Sequence, residues 1–115
     1  MSPEFGKSLQ VMVLSCTGRL QKEYAEMFTA DLIESLGMHD GAGAKTFDYG
    51  EIGFVRVHTL VESFVAIDSW HPHVEGCYLT IESCKPFTGD QVKACLERYG
   101  LTIHKTALEG VLELP

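Results

Sequence analysis

The chain has 115 residues, 45% hydrophobic and 22% charged, and its 16 acidic against 9 basic side chains give a formal charge of −7. That length suits one core and would starve a second, and the apolar content is far from the signature of disorder. The basic residues are scattered singly, which argues against a nucleic-acid partner. No apolar run approaches the about 20 residues that span a bilayer, and no basic segment precedes an apolar one at the N-terminus, so a cytoplasmic protein with no membrane partner is expected.

Residues 1–6, Met-Ser-Pro-Glu-Phe-Gly, read as a disordered stretch or a cloning remnant, which leaves residues 7–115 as a single domain. Residues 9–15 are short, apolar and β-branched, as a largely buried strand should be. Between residues 21 and 36, Leu20, Tyr24, Met27, Phe28, Leu32 and Leu36 recur at three- and four-residue steps, with Lys22, Glu23, Glu26 and Glu34 between them. That spacing predicts an amphipathic helix with those apolar residues as its buried stripe, ended by Gly37.

Asp40-Gly41-Ala42-Gly43 reads as a flexible turn, residues 45–49 as the start of a second strand, and Gly50-Glu51-Ile52-Gly53 as a tight connection. Residues 54–61 and 64–68 have strand character, with Glu62-Ser63 between them. After a polar link, Trp70-His71-Pro72-His73, residues 77–84 alternate as a half-buried strand. Thr88 and Gln91 have capping-box spacing and open a second helix that runs to Tyr99, with Val92, Cys95, Leu96 and Tyr99 on one face. Gly100 stops it, and residues 101–108 supply a last strand.

Two one-sided helices and a mostly antiparallel set of strands are best buried as an α+β two-layer sandwich, with both helices on one face of the sheet. The opposite face then needs cover, and a homodimer packing sheet to sheet is expected to give it. Cys16, Cys77, Cys84 and Cys95 show neither Cys-x-x-Cys spacing nor a disulfide framework, which predicts reduced thiols. His71 and His73 would place two imidazoles on one side of a strand, but no third ligand lies at a metal-binding spacing, so no metal is expected.

The run Leu60-Val61-Glu62-Ser63-Phe64-Val65-Ala66-Ile67-Asp68-Ser69-Trp70, followed by a strand ending at Cys84, resembles the heart of the small prokaryotic S-adenosylmethionine decarboxylases. The pattern there is Glu-Ser-His, three residues, His, one residue, Trp-Pro-Glu, then a strand ending in Thr-Cys-Gly. The motif covers residues 60–84, and the element order is similar over nearly the whole chain.

The resemblance implies an enzyme of polyamine biosynthesis that cleaves itself. The Ser63 hydroxyl attacks the carbonyl of Glu62, the chain is cut between them, and residue 63 becomes a pyruvoyl group, the one cofactor implied. That group would take up the α-amine of S-adenosylmethionine, or of a related amino acid, and act as electron sink while carbon dioxide leaves. Cys84 matches the cysteine that reprotonates the carbon. Phe47 and Tyr49 fall where the family stacks adenine, and Trp70 with His71 falls in its substrate-binding Trp-Pro-Glu segment.

The chain departs from this pattern at named positions. Phe64 and Asp68 replace two histidines, Val55 replaces a hydroxyl-bearing residue, and Trp70-His71-Pro72-His73 lacks the carboxylate of Trp-Pro-Glu. Asp68 could act as a base if burial raises its pKa, and His58, His71 or His73 could stand in for the missing imidazoles. The alternative is an uncleaved, non-catalytic relative that binds S-adenosylmethionine or a partner subunit, or a decarboxylase of another amino acid.

Overall fold

Side chains that alternate between apolar and polar along neighbouring strands leave one sheet face able to shed water, and the two helices cover that face. The computed structural model describes residues 7–70 and 76–115. In chain order the elements are β1 (Ser8–Thr17), α1 (Ala25–Ser35), β2 (Asp40–Asp48), β3 (Gly53–Leu60), β4 (Ser63–Trp70), β5 (Gly76–Ser83), α2 (Gly89–Arg98) and β6 (Thr102–Glu113). The strands form one antiparallel sheet in the order β2-β3-β4-β5-β1-β6.

Met12 and Leu14 of β1, Phe54 of β3, Val65 and Ile67 of β4, and Leu79 and Ile81 of β5 form the inward rows. They pack in one cluster with Phe28, Leu32 and Ile33 of α1 and Val92, Cys95 and Leu96 of α2. This is the α+β two-layer sandwich that the element order predicts. Among the described residues no helix is long and apolar enough to cross a membrane, and all four cysteines are free thiols.

The second helix follows its sequence signal closely. Thr88 Oγ1 accepts the Gln91 amide at 3.2 Å while Gln91 Oε1 accepts the Thr88 amide at 2.8 Å, so two donors at the helix start are satisfied reciprocally. Tyr99 then packs edge-on against Phe28, with ring centroids 5.1 Å apart, and joins the two helices.

Four expectations are corrected. The first helix is broken: Lys22–Tyr24 forms a 3-10 turn before α1 begins at Ala25. Steps of three and four counted across that turn lose the α-helical phase, so Tyr24 and Met27 are 51% and 56% exposed. The buried stripe is Ala25, Phe28, Thr29, Leu32 and Ile33. Second, Asp40 to Gly43 is the beginning of β2 and not a flexible turn. A Cβ at Gly41 would lie 2.8 Å from the Leu60 backbone, so this glycine serves the close approach of β2 to β3.

Third, β6 continues to Glu113, pairing along the whole of β1. Its later residues are exposed on both faces and it carries two register shifts against β1, so no period-two pattern marks it. Fourth, the strand containing Asp68 extends to Trp70, which therefore belongs to β4 and not to the link. The expectations for residues 1–6 and for His71-Pro72-His73 lie outside the described residues.

The correction to α1 is open to test. Leu32→Ala should cost about 3 kcal/mol, as removal of a fully buried leucine side chain does, whereas Met27→Ala should stay within about 0.5 kcal/mol. Urea unfolding of both variants, with m unchanged, measures the contrast.

Candidate functional site

The reversal between β3 and β4 is as short as an antiparallel pair allows. Thr59 faces Phe64 in the ladder, so Leu60 to Ser63 make the turn and Ser63 opens β4. The Glu62 carbonyl accepts the Cys84 amide at 3.1 Å, and Ser63 pairs with Ser83 in β5. The structure thus brings Glu62, Ser63 and Cys84 together at one end of the sheet. The Ser83 hydroxyl is occupied locally, donating to the Lys85 carbonyl at 2.8 Å and accepting the Lys85 amide at 2.9 Å.

A residue with no sequence signal holds this turn. His39, just beyond α1, accepts the Val61 amide on its carbonyl at 3.0 Å. Its own amide donates to Glu62 Oε1 at 2.8 Å, and its Nδ1 lies 2.8 Å from Oε2. The Glu62 side chain is only 8% exposed while the His39 ring is 72% exposed. Burial pushes the Glu62 carboxyl up, but hydrogen bonds from the His39 ring and amide outweigh it, and the net value falls below the ordinary glutamate range.

The second group of expected residues gathers elsewhere. Phe47, Val55, Asp68 and Tyr78 form one row across β2, β3, β4 and β5. Asp68 and Trp70 alternate with the buried Ile67 and Ser69, so they lie on the face away from the helices. Partial burial raises the Asp68 carboxyl above its ordinary range. Trp70 is flanked by Gly53 on β3 and Gly76 on β5, which leaves room for its indole to stack on Tyr49 at 5.9 Å and an interplanar angle of 29°. Lys45 Nζ sits 4.8 Å above the Phe47 ring. A cavity of about 540 Å³ opens beside Trp70, lined also by Ser15, Thr17, Tyr78 and His104.

At about 3.3 Å per residue, the seven steps from Ser63 to Trp70 span about 23 Å, and the five steps to Asp68 about 17 Å. Glu62 and Ser63 therefore stand at the opposite end of β4 from Asp68, the expected base, and from the expected substrate-binding Tyr49 and Trp70. Asp68 and Trp70 take the sheet face opposite to that of Ser63. His71, also expected at the substrate, lies outside the described residues, as does His73. His58 is committed under α1, its Nδ1 3.1 Å from Thr29 Oγ1 and its Nε2 2.5 Å from Asp40 Oδ1. Arg56 joins it there, donating from Nε to Thr29 Oγ1 and from a terminal nitrogen to Thr46 Oγ1, both at 2.9 Å.

Sequence reasoning missed His39, Thr29 and Arg56. Arg56 and His58 share the inward phase of Phe54 and Leu60, but the apolar Val55 and Val57 occupy the other phase, so the sequence of β3 does not mark which face is buried. Among the described residues no group of three or more His, Cys, Asp or Glu side chains could hold a metal ion. No family model matches the chain, and no curated protein matches it.

The clasp on Glu62 makes stability depend on pH in a defined direction. Because the folded value lies below the unfolded one, the contribution is complete above the unfolded glutamate range and disappears as pH falls through the folded value. Glu62→Gln should therefore cost about 1–3 kcal/mol at pH 7, and the gap between variant and wild type should narrow when the pH is lowered to 3. Urea midpoints measured at the two pH values give the comparison.

Proposed function

We propose that the chain is an S-adenosylmethionine decarboxylase-like protein that cuts itself between Glu62 and Ser63 and then decarboxylates S-adenosylmethionine in the cytoplasm, a step of polyamine biosynthesis. The observation that carries this reading is the hydrogen bond from the Cys84 amide to the Glu62 carbonyl at 3.1 Å. Attack by the Ser63 hydroxyl on that carbonyl carbon places negative charge on its oxygen. A donor already aimed at this oxygen stabilises the charge as it develops. The tight turn holds the nucleophile and the carbonyl in adjacent residues, so no diffusion precedes the step.

The residues present fit the pyruvoyl group that residue 63 would become: it would stand at the start of β4, beside the end of β5 that Cys84 follows. Such a group supplies an electrophilic carbonyl that withdraws electrons from a bound amino acid as carbon dioxide leaves. In this reading the Cys84 thiol returns the proton. A sheet-to-sheet homodimer covers the outer face, where Tyr78, Leu108 and Leu112 are 56%, 51% and 63% exposed.

A second reading has its own support. The Tyr49–Trp70 stack and its cavity stand about 23 Å from Ser63 along the strand, and the Glu62 carboxylate is engaged as a structural clasp by His39. Both features suit an uncleaved relative that binds S-adenosylmethionine, or a partner subunit, without turning it over.

Intact-mass measurement after prolonged incubation decides between them. The decarboxylase reading expects two fragments meeting at residue 63, no cleavage in Ser63→Ala, and carbon dioxide released from S-adenosylmethionine by the wild type alone. An intact wild-type mass, with calorimetric binding of S-adenosylmethionine that weakens at least tenfold in Trp70→Ala, overturns that reading and supports the second.

A further inference from the structure

Cys16 and Cys77 are far apart in sequence but are direct partners in the β1–β5 ladder. Residues directly opposite in an antiparallel pair have Cα atoms about 4.5–5.5 Å apart, which falls inside the about 4.4–6.8 Å span that a disulfide accepts. Both side chains lie on the row facing the helices, with Leu14 and Leu79 as neighbours in the core cluster. Cys77 Sγ is 3.5 Å from Ser69 Oγ and 3.8 Å from the Gly18 carbonyl. Neither Cys84, beyond the β5 ladder, nor Cys95, on α2, has a cysteine opposite it in the sheet.

Cys16 and Cys77 are only 4% and 2% exposed, and the cavity beside Trp70 opens on the other face of the sheet, but they stand one pair in from the Thr17–Gly76 end of the β1–β5 ladder. A small reagent reaches the two sulfurs when this end of the ladder opens locally. We propose that Cys16 and Cys77 form a redox-convertible dithiol, which a low-molecular-weight disulfide closes into a cross-strand bridge. One thiolate attacks the reagent's S–S bond and releases one reagent thiol. The second cysteine then displaces the other, forming the Cys16–Cys77 bond. The protein gives up two electrons and two protons, and the reagent leaves as two thiols.

Burial controls the rate of this exchange and leaves its product unopposed. It pushes the Cys16 thiol up to about 12, helped by Cys77 alongside, and it raises the Cys77 thiol too. The attacking thiolate is therefore scarce at neutral pH. The starting dithiol and the final disulfide are both uncharged, so the apolar surroundings penalise neither. Once closed, the bridge ties β1 to β5 and encloses every element from α1 to β4 in one loop, which restricts the unfolded chain.

The test uses the full chain, folded, incubated to completion with excess oxidised glutathione at pH 9, then alkylated, and digested without reduction. The expected result is two reactive thiols per chain in denaturant instead of the four of the reduced protein, and one cross-linked peptide joining residues 16 and 77. The rate should rise about tenfold per pH unit between pH 7 and 9, as thiolate-limited exchange requires, and Cys77→Ser should give no cross-link. The wild-type peptide map stands alone if that variant fails to fold. Four remaining thiols, a persistent glutathione adduct at either position, or a link through Cys84, Cys95 or a second chain would overturn the proposal.

Discussion

One residue of slip in β4 would exchange its two faces, so the register of β4 between β3 and β5 decides what every residue from Ser63 to Trp70 can touch. It is fixed at both ends. At Gly53, a Cβ would come within 2.0 Å of the Ser69 carbonyl oxygen, so β3 and β4 approach there as only glycine allows. At the hairpin, three hydrogen bonds between His39 and the Val61–Glu62 turn hold the reversal against the start of β2. Between these anchors the apolar row of Val65 and Ile67 seals against the helices.

The anchoring divides the chemistry of the molecule in two. The hairpin end carries a hydroxyl, a polarised carbonyl and a cysteine in close sequence on adjoining strands. The far end carries stacked rings, a carboxyl raised by partial burial and an open cavity. Between them, on the inward face of β3, Arg56 and His58 share the hydroxyl of Thr29 on α1. Polar groups placed so deep are tolerated because each finds a partner, and the network sets the seating of α1 over β3 more specifically than apolar contact alone would.

The fold was legible wherever burial was one-sided. Runs of strand-forming residues marked β3 and β4, alternation marked β5, and the Thr88–Gln91 box marked α2. Legibility failed where another constraint replaced periodicity: close strand approach at Gly41, a 3-10 turn before Ala25, and an edge strand wet on both faces in β6. At the site, the Glu62-Ser63 pair could be placed at a strand reversal from its flanking patterns. The motif's short spacing misled in the other direction. Seven residues look close in sequence, but in an extended strand they separate Ser63 from Trp70 by most of the sheet's length. His39 was illegible, because its role depends on where the chain leaves α1 relative to a hairpin twenty residues later.

Trp70 is the one tryptophan of the chain, and it sits on β4 with its indole stacked on Tyr49. Its fluorescence consequently reports on the aromatic end of the sheet alone, since the hairpin holding Ser63 lies at the other end of the strand. Fraying, ligand entry or loss of the stack there changes emission from a single site, while events at the hairpin leave it dark to them. The protein thus carries its own optical probe for the aromatic end of the sheet.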